Sequence, residues 1–112
     1  MEIYHNPRCR KSRETLVLLE ENGINPDIRL YLDSPPDKKE LKSILKKLDI
    51  EAHRLVRKTE AIYKDNYKGQ DLSEDGWIDA MITYPKLIER PIVITDNQAV
   101  IGRPPENVEK LF

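Results

Sequence analysis

Residues 2–22 read EIYHNPRCRKSRETLVLLEEN, and this stretch decides the fold that we predict. Its first four residues have the character of a short strand, which Pro7 ends because proline cannot donate to a central ladder. A helix is predicted from about residue 12 to residue 22, and Gly23 follows it as a C-terminal cap. Cys9 therefore lies in the turn between a strand and a helix.

The rest of the chain completes an α/β pattern. Residues 27–32 alternate polar and apolar side chains, as a strand does. Helices are predicted from about residue 37, within residues 51–67 and over residues 73–84. A hairpin is predicted over 91–95 and 98–101, and a last helix begins at residues 104 and 105. The order β-α-β, helical block, β-β-α predicts a thioredoxin-like, glutaredoxin-type mixed sheet flanked by helices. We predict one domain over 1–112, with a helical insertion at about 37–88.

Length and composition narrow the functional classes. The 112 residues suit one compact domain, and 19 Lys and Arg against 20 Asp and Glu give a formal net charge of -1. This balance favours neither a nucleic acid nor a membrane surface as partner. No apolar run approaches the ~20 residues of a membrane span, and the start of the chain lacks the features of a signal peptide. A single cysteine and two histidines also argue against a metal site and a disulfide framework, so we expect a cytoplasmic protein.

Cys9 is the only cysteine of the chain and the first candidate for chemistry. A helix N-terminus exposes unpaired N–H groups and partial positive charge, and both favour the thiolate, which is the nucleophilic form. Cations at positions 8, 10, 11 and 13 act in the same direction. The alternative is a buried structural cysteine, a common situation that the charged neighbours argue against here. We predict that Cys9 is a reactive thiol.

Ser12 stands where thioredoxin-type enzymes carry a second cysteine in Cys-x-x-Cys. Its hydroxyl is able to donate a hydrogen bond to the sulfur of Cys9, but it cannot close a disulfide. Any covalent adduct on Cys9 must then be released by another molecule. Glutathione, together with glutaredoxin, is the obvious cellular source of that thiol.

Three arginines stand at the edges of predicted elements: Arg57, Arg90 and Arg103. Each guanidinium can donate two parallel hydrogen bonds to a tetrahedral anion, so three together would make a strong oxyanion site. Taken singly, each is equally consistent with a surface ion pair. His5 lies four residues before Cys9 and is consistent with either a structural hydrogen-bonded group or a base.

Residues 5–16, HNPRCRKSRETL, resemble the active-site loop of the glutaredoxin-coupled arsenate reductases and their housekeeping relatives. The similarity continues in family order through YLDSPP at 31–36, LVRK at 55–58, RPIV at 90–93 and GRP at 102–104. The combination of segments covers nearly the whole chain and is specific, although no later segment suffices alone.

This resemblance implies a fold and a reaction. The fold is thioredoxin-like with a helical insertion, and the thiol of Cys9 attacks arsenate to form a thiol–arsenate adduct. Glutathione then attacks the adduct, and glutaredoxin removes the glutathione as arsenite leaves. The oxyanion is bound by Arg57, Arg90 and Arg103. The resemblance further implies a monomer with no bound cofactor or metal, for which glutathione is a co-substrate.

The resemblance also implies supporting residues around the thiol. His5 shapes the loop and helps to keep the thiol ionised, Asn6 belongs to the same loop, and Ser12 supports the thiolate. Pro91 matches the cis-proline that faces the thiol in thioredoxin-like sites, so the peptide bond between Arg90 and Pro91 is predicted to be cis.

One position departs from the pattern, and two other functions stay open. Arg10 stands where a small residue is expected, and it either adds to the anion site or obstructs it. One alternative is a glutathione-linked thiol oxidoreductase that acts on another substrate. The other is a redox transcription regulator of the Spx type, which shares the fold and binds RNA polymerase. Such regulators usually carry Cys-x-x-Cys, whereas this chain has Ser12.

Overall fold

The computed structural model describes residues 1–112, which divide into two compact units. The first unit joins Met1–Ser34 to Arg90–Phe112, and the second is Pro35–Glu89. The second unit contains the region predicted as a helical insertion. The assignment of both units to one domain stays a prediction.

The first unit is built on a four-stranded mixed sheet. Its strands are β1 (Glu2–Tyr4), β2 (Asp27–Arg29), β3 (Ile92–Ile94) and β4 (Ala99–Ile101). They lie in the order β2-β1-β3-β4, with β1 parallel to β2, β1 antiparallel to β3, and β3 antiparallel to β4. The predicted α/β class and thioredoxin-like mixed sheet are confirmed, although β2 is shorter than the predicted strand at 27–32.

Helix α1 (Arg10–Glu21) follows β1 and begins earlier than the predicted start at about Ser12. Cys9 is its N-cap residue, with the extended backbone (φ -96, ψ 121) that this position requires. The helix ends as predicted, because Gly23 adopts a φ of 77, a left-handed conformation that glycine tolerates best.

The buried face of α1 is formed by Ser12, Thr15 and Leu19. Apolar spacing alone predicts a face through Leu16 and Leu19, but Leu16 is only partly buried. Leu19 packs in a core with members from β1, β3 and a C-terminal 3-10 helix (Pro105–Leu111): Ile3, Val93 and Val108. The helix thus presents a mixed polar and apolar face to the sheet, with its polar part at the Cys9 end.

Gly102, directly after β4, joins the sheet to α1. Its N–H donates to the Pro91 carbonyl at 2.9 Å, and its own carbonyl lies 3.3 Å from the Thr15 hydroxyl. A Cβ atom at this position would stand 2.7 Å from Thr15 Oγ1 and 2.9 Å from Pro91 Cγ. Only a residue without a side chain fits there, so the end of β4 rests directly on the second turn of α1.

The second unit is helical. It contains α2 (Lys38–Leu48), α3 (Ala52–Leu55), α4 (Ala61–Asn66), α5 (Glu74–Thr83) and a 3-10 helix at Pro85–Leu87. Asp37 caps α2 through a capping box with Glu40, and the Ser73 hydroxyl accepts from the Gly76 N–H at the start of α5. Helices α2 to α5 match the predicted ones, whereas the 3-10 helix at Pro85–Leu87 was not predicted. No helix in either unit has both the length and the apolar character needed to cross a membrane.

We expect Gly102→Ala to lower the free energy of unfolding by about 1–3 kcal/mol, because the new methyl group overpacks the contact between Thr15 and Pro91. Urea denaturation measures this change. In a Thr15→Ala background the added cost of Gly102→Ala should be smaller, since one clashing side chain is gone. Equal costs in both backgrounds would show that the Thr15 contact does not set the requirement for glycine.

Candidate active site

Cys9 is placed by hydrogen bonds on both sides of its backbone. Its N–H donates to the Asn6 carbonyl at 2.9 Å, and its carbonyl accepts from the Arg13 N–H at 3.0 Å as α1 begins. The first N–H groups of a helix have no acceptor within the helix, and the first turn of α1 contains no acidic residue. The thiol therefore lies at the electropositive end of a 12-residue helix, as the sequence predicts.

The Cys9 side chain is less accessible than its charged neighbours suggest. Cys9 is only 8% exposed, whereas Arg8 and Arg10 on either side are exposed. At the N-cap the backbone turns the two arginines outward and the cysteine inward. The charged flanks therefore do not predict the exposure of the thiol itself.

Asn6 organises the loop before Cys9. Its side-chain Oδ1 accepts from the Arg8 N–H at 3.0 Å, which closes a local turn, and its carbonyl accepts from the Cys9 N–H. Its own N–H donates to the Ser12 hydroxyl at 3.0 Å. Asn6 thus connects the loop to the first turn of α1.

Ser12 makes its hydrogen bonds with the loop and with His5. Its fully buried Oγ lies 2.6 Å from His5 Nδ1 and accepts from the Asn6 N–H. The predicted direct hydrogen bond from Ser12 to the sulfur of Cys9 is not formed in this structure. The reason is that Ser12 lies on the face of α1 that packs against the sheet, where His5 continues from β1.

His5 is buried, and its backbone N–H donates to the Arg29 carbonyl at 2.9 Å. Burial, with a further contribution from the positive charge of Arg13, lowers the pKa of His5 below its ordinary value of 6.5. The imidazole is therefore neutral at pH 7 and bonds Ser12 through Nδ1. Its predicted contribution to an ionised thiol stays a prediction, and it would act through hydrogen bonding rather than through an imidazolium charge.

The cations around Cys9 are partly neutralised by one carboxylate. Glu14 pairs with Arg10 at 2.8 Å and with Lys11 at 3.8 Å. Arg13 donates to the Pro7 carbonyl at 2.8 Å and so fastens the loop to α1. The departure at Arg10 is thus accommodated by an exposed ion pair along the helix. The backbone N–H groups at the start of α1 add a fixed positive potential for the thiol.

Two of the three predicted anion-binding arginines come together in the first unit. Arg103 Nε donates to the Arg90 carbonyl at 3.3 Å, and both side chains are half-buried. The peptide bond between Arg90 and Pro91 is cis, which confirms the prediction, and the bond between Arg103 and Pro104 is also cis, which was not predicted. Gly102 places this pair beside α1, which carries Cys9 at its start.

Arg57 belongs to the second unit, so its predicted convergence with the other two arginines stays a prediction. Its Nη1 donates to Glu60 Oε2 at 2.9 Å, and its Nε lies 3.9 Å from Glu89 Oε1. Sequence reasoning missed both carboxylates. The spacing of three residues between Arg57 and Glu60 is a signal that could have found the first of them.

A cavity of about 280 Å³ borders the loop before Cys9. It is lined by His5, Asn6, Pro7, Arg8, Leu30, Leu32 and Asp33. Nowhere in the chain do three or more His, Cys, Asp or Glu residues form a group that could hold a metal ion. The start of α1 therefore carries the thiol of Cys9 and backbone N–H groups, with the hydroxyl of Ser12 and the imidazole of His5 buried beside them.

The mixed sheet with a cysteine at the N-cap of its first helix and a cis-proline before β3 defines a thioredoxin-like protein. Residues 4–111 match the ArsC family, and the chain belongs to that family.

Individual relatives agree with this assignment. The chain is 52% identical over 110 residues to the uncharacterized protein YfgD of Escherichia coli K12, with 96% of this chain and 92% of that protein covered. It is 50% identical over 112 residues to an arsenate reductase of Haemophilus influenzae, with 98% and 97% covered. A solved arsenate reductase from Vibrio cholerae superposes with a TM-score of 0.94 at 47% identity, over 99% of this chain and 96% of that one.

The depressed pKa of His5 predicts a pH dependence of stability. An unfolded His5 takes up a proton as the pH falls through 6.5, before the folded protein does, so protonation favours unfolding. The free energy of unfolding should therefore decrease as the pH falls below 6.5 and be at its full value above it.

Urea denaturation between pH 7.5 and 5 measures this effect. His5→Gln should remove that part of the decrease, whereas His53→Gln, at a side chain 43% exposed, should leave it in place. An unchanged pH profile in His5→Gln would contradict the prediction.

Proposed function

We propose that this protein reduces arsenate to arsenite, with Cys9 as the nucleophile and glutathione and glutaredoxin as the electron donors. The observation that carries the proposal is the placement of the only cysteine at the N-cap of α1, in a member of the ArsC family. The relatives from Haemophilus influenzae and Vibrio cholerae are named arsenate reductases.

The first step is attack of the Cys9 thiolate on arsenic. Arsenate and thiolate are both negative, so the site must reduce their repulsion and hold the arsenic at about 3–3.5 Å from the sulfur. A sulfur–arsenic bond forms and one oxygen leaves as water, which needs protons but no change in oxidation state. Positive charge aimed at the arsenate oxygens stabilises the charge that they gain during attack.

The arginines are proposed to supply that charge. The Arg103 side chain is held by a hydrogen bond to the Arg90 carbonyl, and the planar guanidinium groups of Arg90 and Arg103 match the geometry of a tetrahedral oxyanion. Arg57 is proposed as the third fork. The neutral form of His5 adds no charge at pH 7 and leaves this role to the guanidinium groups.

An outside thiol must complete the reaction, because the chain contains no second cysteine. Glutathione is proposed to replace a second oxygen on the arsenic, again with loss of water. The glutaredoxin thiolate then attacks the glutathione sulfur, and the electron pair of the sulfur–arsenic bond stays on arsenic. Arsenic is reduced from As(V) to As(III), a glutathione–glutaredoxin disulfide forms, and hydrolysis frees arsenite and Cys9.

Replacing the nucleophile tests the mechanism directly. Cys9→Ser should lower arsenite release at least ~1000-fold, because no thiol–arsenate adduct can form. Arsenite is measured with arsenate, glutathione and glutaredoxin present, and leaving out either thiol should also stop turnover by the natural protein.

Two results would contradict this scheme. Undiminished arsenite release by Cys9→Ser would remove the covalent mechanism. If the natural protein released no arsenite while Cys9 was readily alkylated at neutral pH, the alternative of a thiol oxidoreductase acting on another substrate would be favoured.

Single replacement of the arginines tests the anion site. Arg57→Ala, Arg90→Ala and Arg103→Ala should each raise the KM for arsenate about 10-fold or more, since each removes a charge-assisted hydrogen bond. Arg54→Ala, at an exposed arginine, is the matched control and should leave the KM unchanged. If all three variants behaved like the control, the anion would be bound elsewhere.

A further inference from the structure

Arg57 is bracketed by two carboxylates in the second unit. Glu60 lies 2.9 Å from Nη1, and both side chains of this pair are largely covered, at 26% exposed for Arg57 and 19% for Glu60. Glu89 lies 3.9 Å from Nε and is 30% exposed. Partial burial makes these pairs less screened by solvent than ordinary surface pairs.

The backbone around this group is held in place. The Arg57 N–H donates to the Leu87 carbonyl at 2.6 Å, and the Glu89 N–H donates to the Leu55 carbonyl at 2.9 Å. The Glu60 N–H in turn donates to the Arg57 carbonyl at 3.2 Å. These hydrogen bonds hold the backbone of Arg57 and of both glutamates in place. The guanidinium at the end of the flexible Arg57 side chain is the part that still has to be positioned.

The contact with Glu60 uses only one nitrogen of the Arg57 guanidinium. One carboxylate oxygen meets one nitrogen, Nη1, whereas a carboxylate that filled the fork would bind two nitrogens in parallel. Nη2 carries two further N–H donors, whereas the hydrogen bond to Glu60 is made by Nη1 and the approach to Glu89 by Nε. Glu60 is thus placed to orient the guanidinium without occupying its Nη2 edge.

We propose that Glu60 is a positioning residue that holds Arg57 with its Nη2 edge presented to the oxyanion. This inference rests on the proposed function, in which Arg57 binds the oxyanion substrate. Glu60 raises affinity by restricting a flexible side chain before the ligand arrives, so its effect falls on the KM rather than on the chemical step.

The test compares Glu60→Ala with Glu60→Gln, which keeps an oxygen that accepts from Nη1. Glu60→Ala should raise the KM for arsenate about fivefold, the size expected for loss of a partly exposed ion pair, and change kcat less than twofold. Glu60→Gln should retain most of the natural affinity. Asp79→Ala removes a surface carboxylate that lies 3.8 Å from Lys38 and should have no effect.

A double-mutant cycle shows whether Glu60 acts through Arg57. In an Arg57→Ala background, Glu60→Ala should raise the KM no further. An additive increase would overturn the proposal, because Glu60 would then act by another route. Unchanged or tighter arsenate binding in Glu60→Ala alone would also overturn it, because Glu60 would then compete with the oxyanion.

The position of the guanidinium can be measured without turnover. The NMR order parameter of the Arg57 Nε–H bond should be high in the natural protein, fall in Glu60→Ala and recover in Glu60→Gln. If Glu60→Ala left this order parameter unchanged, the proposal that Glu60 positions the Arg57 guanidinium would be refuted, even in an active enzyme. A natural protein that neither binds nor reduces arsenate, but shows the expected order parameters, would instead refute the proposed function and the ligand that it assigns to Arg57.

Discussion

The contact of Gly102 with Thr15 and Pro91 is the constraint on which the first unit depends. A Cβ atom there would stand 2.7 Å from Thr15 Oγ1, so the end of β4 touches the helix that begins at Cys9 with no side chain between them. The same residue donates its N–H to Pro91, and Arg103 follows it directly. The close packing at Gly102 thus positions the cis-proline and Arg103 relative to the helix that follows Cys9.

The polar face of α1 explains how a cysteine in a charged segment becomes a buried group. Ser12 and Thr15 are fully buried, and both hydroxyls have hydrogen-bond partners: Ser12 with the loop, Thr15 with backbone carbonyls. Because buried polar groups are costly unless they are paired, this network favours one arrangement of the loop. That arrangement of the loop turns the Cys9 side chain inward, while its charged neighbours remain exposed to solvent.

The electrostatics of the candidate site divide between backbone and side chains. Near Cys9, Glu14 neutralises part of the cationic segment, and the helix N-terminus remains as a fixed positive potential. In the first unit the Nε of Arg103 donates to the Arg90 carbonyl, and in the second unit, taken by itself, Arg57 forms an ion pair with Glu60. A neutral carbonyl partner leaves the positive charge of an arginine undiminished. A carboxylate partner offsets part of that positive charge while it restricts the position of the guanidinium.

Sequence alone determined the α/β class, the element order, the location of Cys9 at a helix start and the cis bond before Pro91, because periodicity, caps and a specific motif are local properties of the chain. The close support at Gly102, the redirection of the Ser12 hydroxyl to His5 and the carboxylates on Arg57 needed the tertiary structure. These features join residues that are distant along the chain or select one of several partners that a side chain could reach, and only packing makes that selection.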